Sequence, residues 1–291
     1  ELHTLYMSSL GAVAYLAMTR LDAAVFIVAL QKHTHAPLVI HQKRLNALIL
    51  WLQRNPKHIK YKRFKSLNSH LRIVSDAAFR KEDDDAHALK GAIIIRCEGN
   101  MQTLVTEAAT GVFQHNCHII DYYCRKQRHV TRSTFGAELY AACDAVDFGM
   151  LIIQLMQELE HGVDTFSTAR QRRENGDWKI DMVAAVDAMS VYAAVTAGQL
   201  KIPTEKSLWS HIQYLRELLD TGVLRYLLWI DTRDMWSDGL TKGSVERTLI
   251  HELMQGLLHG RHPYKAWAPK MIKPAGSPDC GTLAACEETE D

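Results

Sequence analysis

Two short apolar runs, each closed by an aspartate, constrain this chain most. Residues 71–74 (Leu-Arg-Ile-Val) lead through Ser75 to Asp76, and residues 182–186 (Met-Val-Ala-Ala-Val) lead directly to Asp187. Runs this short and this rich in β-branched residues read as strands. In open α/β sheets, sites gather outside the carboxyl ends of the strands, so both carboxylates are placed to enter one crevice. Either aspartate alone reads more plainly as a turn residue or helix cap; the matching contexts favour the crevice.

The remaining pattern supplies helices around such a sheet. Residues 5–54 read as helical, with Asp22 as the N-cap of a second segment and Asn55-Pro56 as the stop. Residues 92–97, 111–113 and 118–123 supply further strand material, with a turn at Glu98-Gly99-Asn100. A long helix spans 133–160, capped by Ser133 or Thr134 and stopped by Gly162. Helices over 205–219 and 247–258 and a strand over 224–230 complete the order. From about His262 onward, Pro, Gly and acidic residues predict a disordered tail. The expected fold class is α/β, a mixed five-stranded sheet flanked by helices. The expected domains are a separate all-helical unit over 1–65, the sheet domain over 66–260 and the tail over 261–291.

Two more carboxylates stand out. Glu138 lies one turn into the long helix among Ala137, Leu139, Ala141 and Ala142, on a face that packs against the sheet. A glutamate there needs a partner, because an unpaired buried charge is costly; a cation or Arg132 would serve. Asp238, in Trp-Ser-Asp-Gly-Leu-Thr-Lys, opens the last helical region, and reads equally as an N-cap.

The ordered runs IVSDAAF, RSTFGAELYAA, AAVDAMSVYAAV and WSDGLTKG resemble the motif set of the ribonuclease H domain of copia-type retrotransposon polyproteins. The runs YMSSLGAVAYLAMTRLDAAVFIVALQKH and HQKRLNALILWLQR resemble the thumb or connection segment that follows the reverse-transcriptase palm in those polyproteins. The resemblance covers roughly residues 5–245. It implies a ribonuclease H-like fold and maps four catalytic, metal-binding carboxylates onto Asp76, Glu138, Asp187 and Asp238. Four hard oxygen donors suit Mg²⁺ or Mn²⁺, and two such ions about 4 Å apart would clamp a phosphodiester. The implied reaction is hydrolysis of the RNA strand of an RNA/DNA hybrid, with Asp76 shared between both ions. Departures are Arg20-Leu21-Asp22 for the family's Arg-Pro-Asp, and insertions around 100–116 and 169–178. The palm is absent, so no polymerase activity is expected. No mobile catalytic histidine can be matched: His211 lies in a predicted helix.

Hybrid recognition needs cations for phosphates and hydroxyls for sugars. Arg125, Lys126, Arg128, Arg132, Ser133 and Thr134 cluster before Glu138, and Lys57, Lys60, Lys62 and Arg63 belong to a stretch, 43–65, that holds no Asp or Glu. The whole-chain charge of +1 argues neither for nor against such a partner, and the plainer reading is a solvated helix face with its trailing loop for 43–65 and a solvated basic loop before Glu138. Acidic residues gather instead at 82–85 and 287–291. Six cysteines show no framework spacing; His115, Cys117, His118 and Cys124 suggest zinc only weakly, because Cys117 sits in a strand-like run. Reduced thiols point to a cytoplasmic or nuclear, intracellular setting. No membrane and no small-molecule cofactor is expected. The chain starts at Glu1 and is expected to be a piece of a longer polyprotein, whose polymerase part is the other expected partner. Rival readings are a catalytically idle relic that binds nucleic acid, an integrase (whose acidic order, Asp-Asp-Glu, this chain does not follow) and a structural helper of a polymerase.

Overall fold

The computed structural model describes residues 1–66, 68–79 and 88–269. Seven strands form one sheet among the described residues: β1 (Ser69–Ala78), β2 (Leu89–Glu98), β3 (Phe113–Lys126), β4 (Asp181–Val186), β5 (Tyr226–Trp229), β6 (Leu257–Gly260) and β7 (Lys265–Trp267). Their order is β6-β3-β2-β1-β4-β5-β7. The first three strands form an antiparallel meander, while β4 lies parallel to β1 and β5 parallel to β4. The chain therefore changes from antiparallel to parallel at β1, the centre of the sheet.

Ten helices accompany the sheet among the described residues: α1 (Leu2–Leu16), α2 (Ala24–Gln31), α3 (Val39–Arg54), α4 (Met101–Thr110), α5 (Thr134–His161), α6 (Phe166–Asn175), α7 (Met189–Thr196), α8 (Trp209–Asp220), α9 (Asp238–Thr241) and α10 (Thr248–Met254). Strand alternation divides the core. Leu71, Ile73, Met182, Ala184 and Val186 meet α5, α7 and α8 on one face, while Val74, Ile93, Ile95, Val183 and Ala185 meet α9 and α10 on the other. Gly149 lets α5 approach closely, since a Cβ there would stand 2.2 Å from Ile73 Cδ1. Helix α5 is long and apolar enough, by length and composition, to cross a bilayer, but half of its most apolar window is buried inside the protein. Ser133 is its cap, with Oγ accepting from the Gly136 N–H at 3.1 Å.

The expected five strands are seven, and both additions lie where a helix end and a tail were expected. Gly256, at φ 74°, stops α10, after which residues 257–260 pair with β3. Residues 265–267 pair with β5, Tyr264 is buried, and its hydroxyl donates to the Leu104 carbonyl at 2.5 Å. The tail expected from 261 is thus ordered through these contacts as far as 269; residues 270–291, like the acidic run at 82–85, lie outside the described residues. The insertion at 100–116 is largely α4, capped by the Asn100 side chain. Strand β1 runs on to Ala78, so Asp76 lies inside it and not beyond its end.

The N-terminal helices α1–α3 end at Arg54. They have a cluster of their own around Tyr6, Ile27, Leu45 and Leu52, but Leu21 and Ala24 enter the core beneath the sheet. Asp22 is no cap: Ala23 precedes α2 without a side-chain capping bond. Instead the buried Asp22 carboxylate accepts from Arg20 Nε at 2.9 Å and meets His251 Nε2 at 3.1 Å.

Candidate functional site: a carboxylate cluster beside the central strand

Asp76, Glu138 and Asp187 converge. One ligand oxygen from each lies within 4.8 Å of the others, the one grouping of this kind among the described residues. Each arrives for a local reason. Asp76 is carried by β1, flanked by β2 and β4, and is fully buried. Asp187 is the first residue past β4, and Glu138 stands one turn into α5, whose apolar face lies on β1. Glu138 Oε2 accepts from the Ala77 N–H at 3.1 Å, which points the side chain at the strand carrying Asp76.

The electrostatics follow from crowding. Burial, then the Asp76 and Asp187 charges, push the Glu138 carboxyl far above the carboxylate range. Asp187 and Asp238 are raised as well, by burial first and the Asp76 charge second. Three like charges this close favour either a retained proton or a cation. Hard carboxylate oxygens without nitrogen or sulfur match a divalent ion of the Mg²⁺ or Mn²⁺ kind.

Asp238 stands apart from the group of three. It opens the short α9, and Lys242 joins it to the others: Nζ lies 2.6 Å from Asp238 Oδ1 and 3.3 Å from Asp76 Oδ1. The surrounding carboxylates hold the Lys242 ammonium above the ordinary lysine range despite its burial. Thr241 Oγ1 donates to Asp76 Oδ2. Gly91 makes this approach geometrically feasible: it pairs with Asp76 across β1 and β2, and a Cβ there would stand 2.7 Å from Leu240 Cβ. The Cys124 thiol further ties α9 down, donating to the Leu240 carbonyl at 2.9 Å. Sequence reasoning missed Thr241 and Lys242 as parts of the site. The signal was available, because they follow Asp238 at i+3 and i+4, on one face of a helical turn.

The basic residues divide into groups. Arg125, Lys126 and Arg128 line a cavity of about 290 Å³ with Lys90, His129 and Tyr140, beside the N-terminal part of α5. Arg132 and Ser133 line a second, of about 560 Å³, with Phe135 and Thr204, and Thr134 is the first residue of α5. Lys57, Lys60, Lys62 and Arg63 do not join them. The Lys60 N–H donates to the Met254 carbonyl, and the Lys62 carbonyl meets His118 Nε2 at 2.6 Å. His118 pairs through Arg96 with Leu71, five residues before Asp76, which is roughly 16 Å along the strand. The zinc suggestion dissolves: His115 pairs with Glu107, His118 with the Lys62 carbonyl, and Cys117 is buried. His211 lies in α8, edge-on to Tyr140.

The site thus defines a class: a mixed α/β domain with an acidic cluster where its sheet changes direction. Among known proteins, the chain is 24% identical over 244 residues to the Retrovirus-related Pol polyprotein from transposon RE1 of Arabidopsis thaliana. That alignment covers 82% of this chain and 14% of the polyprotein, so the chain spans only a small part of its relative. The likeness supports a retrotransposon polyprotein origin. No family model and no solved structure matches the chain.

Proposed function

We propose that this chain is the ribonuclease H-type endonuclease region of a copia-type retrotransposon polyprotein, preceded by a thumb or connection-like segment, and that it hydrolyses the RNA strand of RNA/DNA hybrids. The observation that carries this reading is the convergence of Asp76, Glu138 and Asp187 within 4.8 Å, on the elements where the motif resemblance puts them. Two Mg²⁺ or Mn²⁺ ions, when bound, would neutralise charge on the scissile phosphate and activate water. Asp76, Glu138 and Asp187 would hold the ions, with Glu138 ionised in the loaded site. Asp238, now paired with Lys242, would be the fourth ligand. The exposed Arg125, Lys126, Arg128 and Arg132 hold phosphates, and Ser133 and Thr134 are placed to meet sugar hydroxyls. The setting is intracellular, with the polymerase part of the polyprotein as partner.

A labelled RNA/DNA hybrid should be cut by the parent chain with Mg²⁺, and not by Asp76→Asn. No cleavage by the folded parent with either ion would overturn the proposal. One observation favours a second reading, a catalytically idle hybrid binder: the Lys242 ammonium already bridges Asp76 and Asp238. Hybrid binding without metal-dependent cleavage would be its signature.

A further inference from the structure

A cleft of about 750 Å³ lies where the N-terminal helices meet the segment that follows α9. Phe26 and Trp51 line it, together with Lys32, His33, Arg44 and Arg247, and no Asp or Glu does. Lys32 and Arg44 are exposed, with no hydrogen bond or ion pair among the described residues. Their charges reach His33, which burial first, and then His41, Arg44 and Lys32, hold below the ordinary histidine range. Arg247 is employed differently. It lies over the Phe26 ring at 4.8 Å and donates to the carbonyls of Gly239, Lys242 and Gly243 at 3.1–3.2 Å. The cleft wall and the backbone that carries Lys242 are therefore one piece, and Gly243 lies at once against Phe26 and next to the residue that meets Asp76 and Asp238.

Unpaired cations at the mouth, aromatic rings in the wall and the absence of carboxylates match one chemistry: a phosphodiester strand whose bases are free to stack. Double-stranded nucleic acid hides its base faces, so the rings would be idle against a duplex. We infer that this cleft binds a single-stranded polynucleotide segment, with Lys32 and Arg44 on its phosphates and Trp51 against a base, while Phe26, covered by Arg247, backs the wall. It takes the strand that runs past the carboxylate cluster as it leaves the duplex. The assignment rests on the nuclease reading for the direction of the strand, and on the cleft's own residues for its ligand.

The test is binding without cleavage. Fluorescence anisotropy in EDTA would compare a blunt RNA/DNA hybrid, the same hybrid with a single-stranded extension, and oligo(dT) alone. The extension should tighten binding by about tenfold, the scale of stacking one base on an aromatic ring. Lys32→Glu/Arg44→Glu should abolish that increment while leaving blunt-hybrid affinity and melting temperature unchanged, since both side chains are exposed. In Lys32→Ala/Arg44→Ala, the slope of log affinity for oligo(dT) against log salt should fall by about 1.4, or 0.7 per lost phosphate contact. Oligo(dT) should quench tryptophan emission in the parent, and less so in Trp51→Phe. Equal affinity for blunt and extended hybrids, or a charge-reversed variant that keeps the increment, overturns the inference. An increment that persists in a chain unable to cleave removes the nuclease reading alone; cleavage without an increment removes this one alone.

Discussion

Replacing Lys242 by methionine keeps most of the aliphatic stem but removes an ammonium that lies 2.6 Å from Asp238 and 3.3 Å from Asp76. Asp76 is wholly buried, and Glu138 nearly so, hence the variant leaves a crowded set of carboxylates with no cation. Breaking a buried ion pair from one side costs about 3–5 kcal/mol; because the lysine side chain is 33% exposed, solvent screening brings the expected loss to about 2 kcal/mol. Divalent ions should reverse the effect, since they supply the missing charge and no longer have to displace an ammonium. The gain in unfolding free energy on adding saturating Mg²⁺ should then exceed the parent's by about 2 kcal/mol, equivalent to a roughly 30-fold lower apparent dissociation constant. Urea unfolding followed by circular dichroism, in EDTA and in Mg²⁺ near neutral pH, measures both quantities. If the variant matches the parent in EDTA, or gains no more from Mg²⁺ than the parent does, Lys242 is not the resident counter-ion of the cluster and the reasoning fails.

Two other predictions address the architecture. Gly91→Ala puts a methyl 2.7 Å from Leu240 Cβ, which a helix tied to Asp76 cannot easily evade. It should cost about 1–3 kcal/mol and weaken Mg²⁺ binding by withdrawing Asp238, so unchanged Mg²⁺ affinity in a titration would count against the role given to this close approach. His70 concerns pH. Burial, then the Arg72 charge, hold its ring down to about 3 from 6.5, so the unfolded chain binds the extra proton first. Stability is therefore full above about pH 6.5 and is lost as pH falls, by roughly 2 kcal/mol at about pH 5. The urea midpoint of His70→Gln should depend less on pH over this range than the parent's, and parallel curves would show another group responsible.

Much of the site was legible because it depends on local pattern. Short β-branched runs marked the strands that carry Asp76 and precede Asp187, although β1 runs two residues past Asp76, and a lone glutamate on an apolar helix face marked Glu138. What could not be read depends on distant approach. Lys242 enters the cluster only because Gly91, some 150 residues earlier, lets α9 lie against β2. Strands β6 and β7 have four and three residues, too few for periodicity, and their neighbours β3 and β5 decide their conformation. Asp22 has the sequence signature of a cap, yet its partner His251 is 229 residues away. The packing of Leu21 and Ala24 is of the same kind: they look like ordinary helix residues until the sheet beneath them exists.

That last contact has a consequence in time. At synthesis rates of about 5–20 residues per second, Asp22 emerges roughly 10–45 s before the histidine that will hold it, 229 residues later. During that interval, Leu21 and Ala24 have no completed surface to cover, and β6 and β7 are the last of the described strands to arrive. Closing this contact is deferred until residues 248–267 join, and a nascent chain halted before His251 would hold its first helices loosely, open to proteases and to other apolar surfaces.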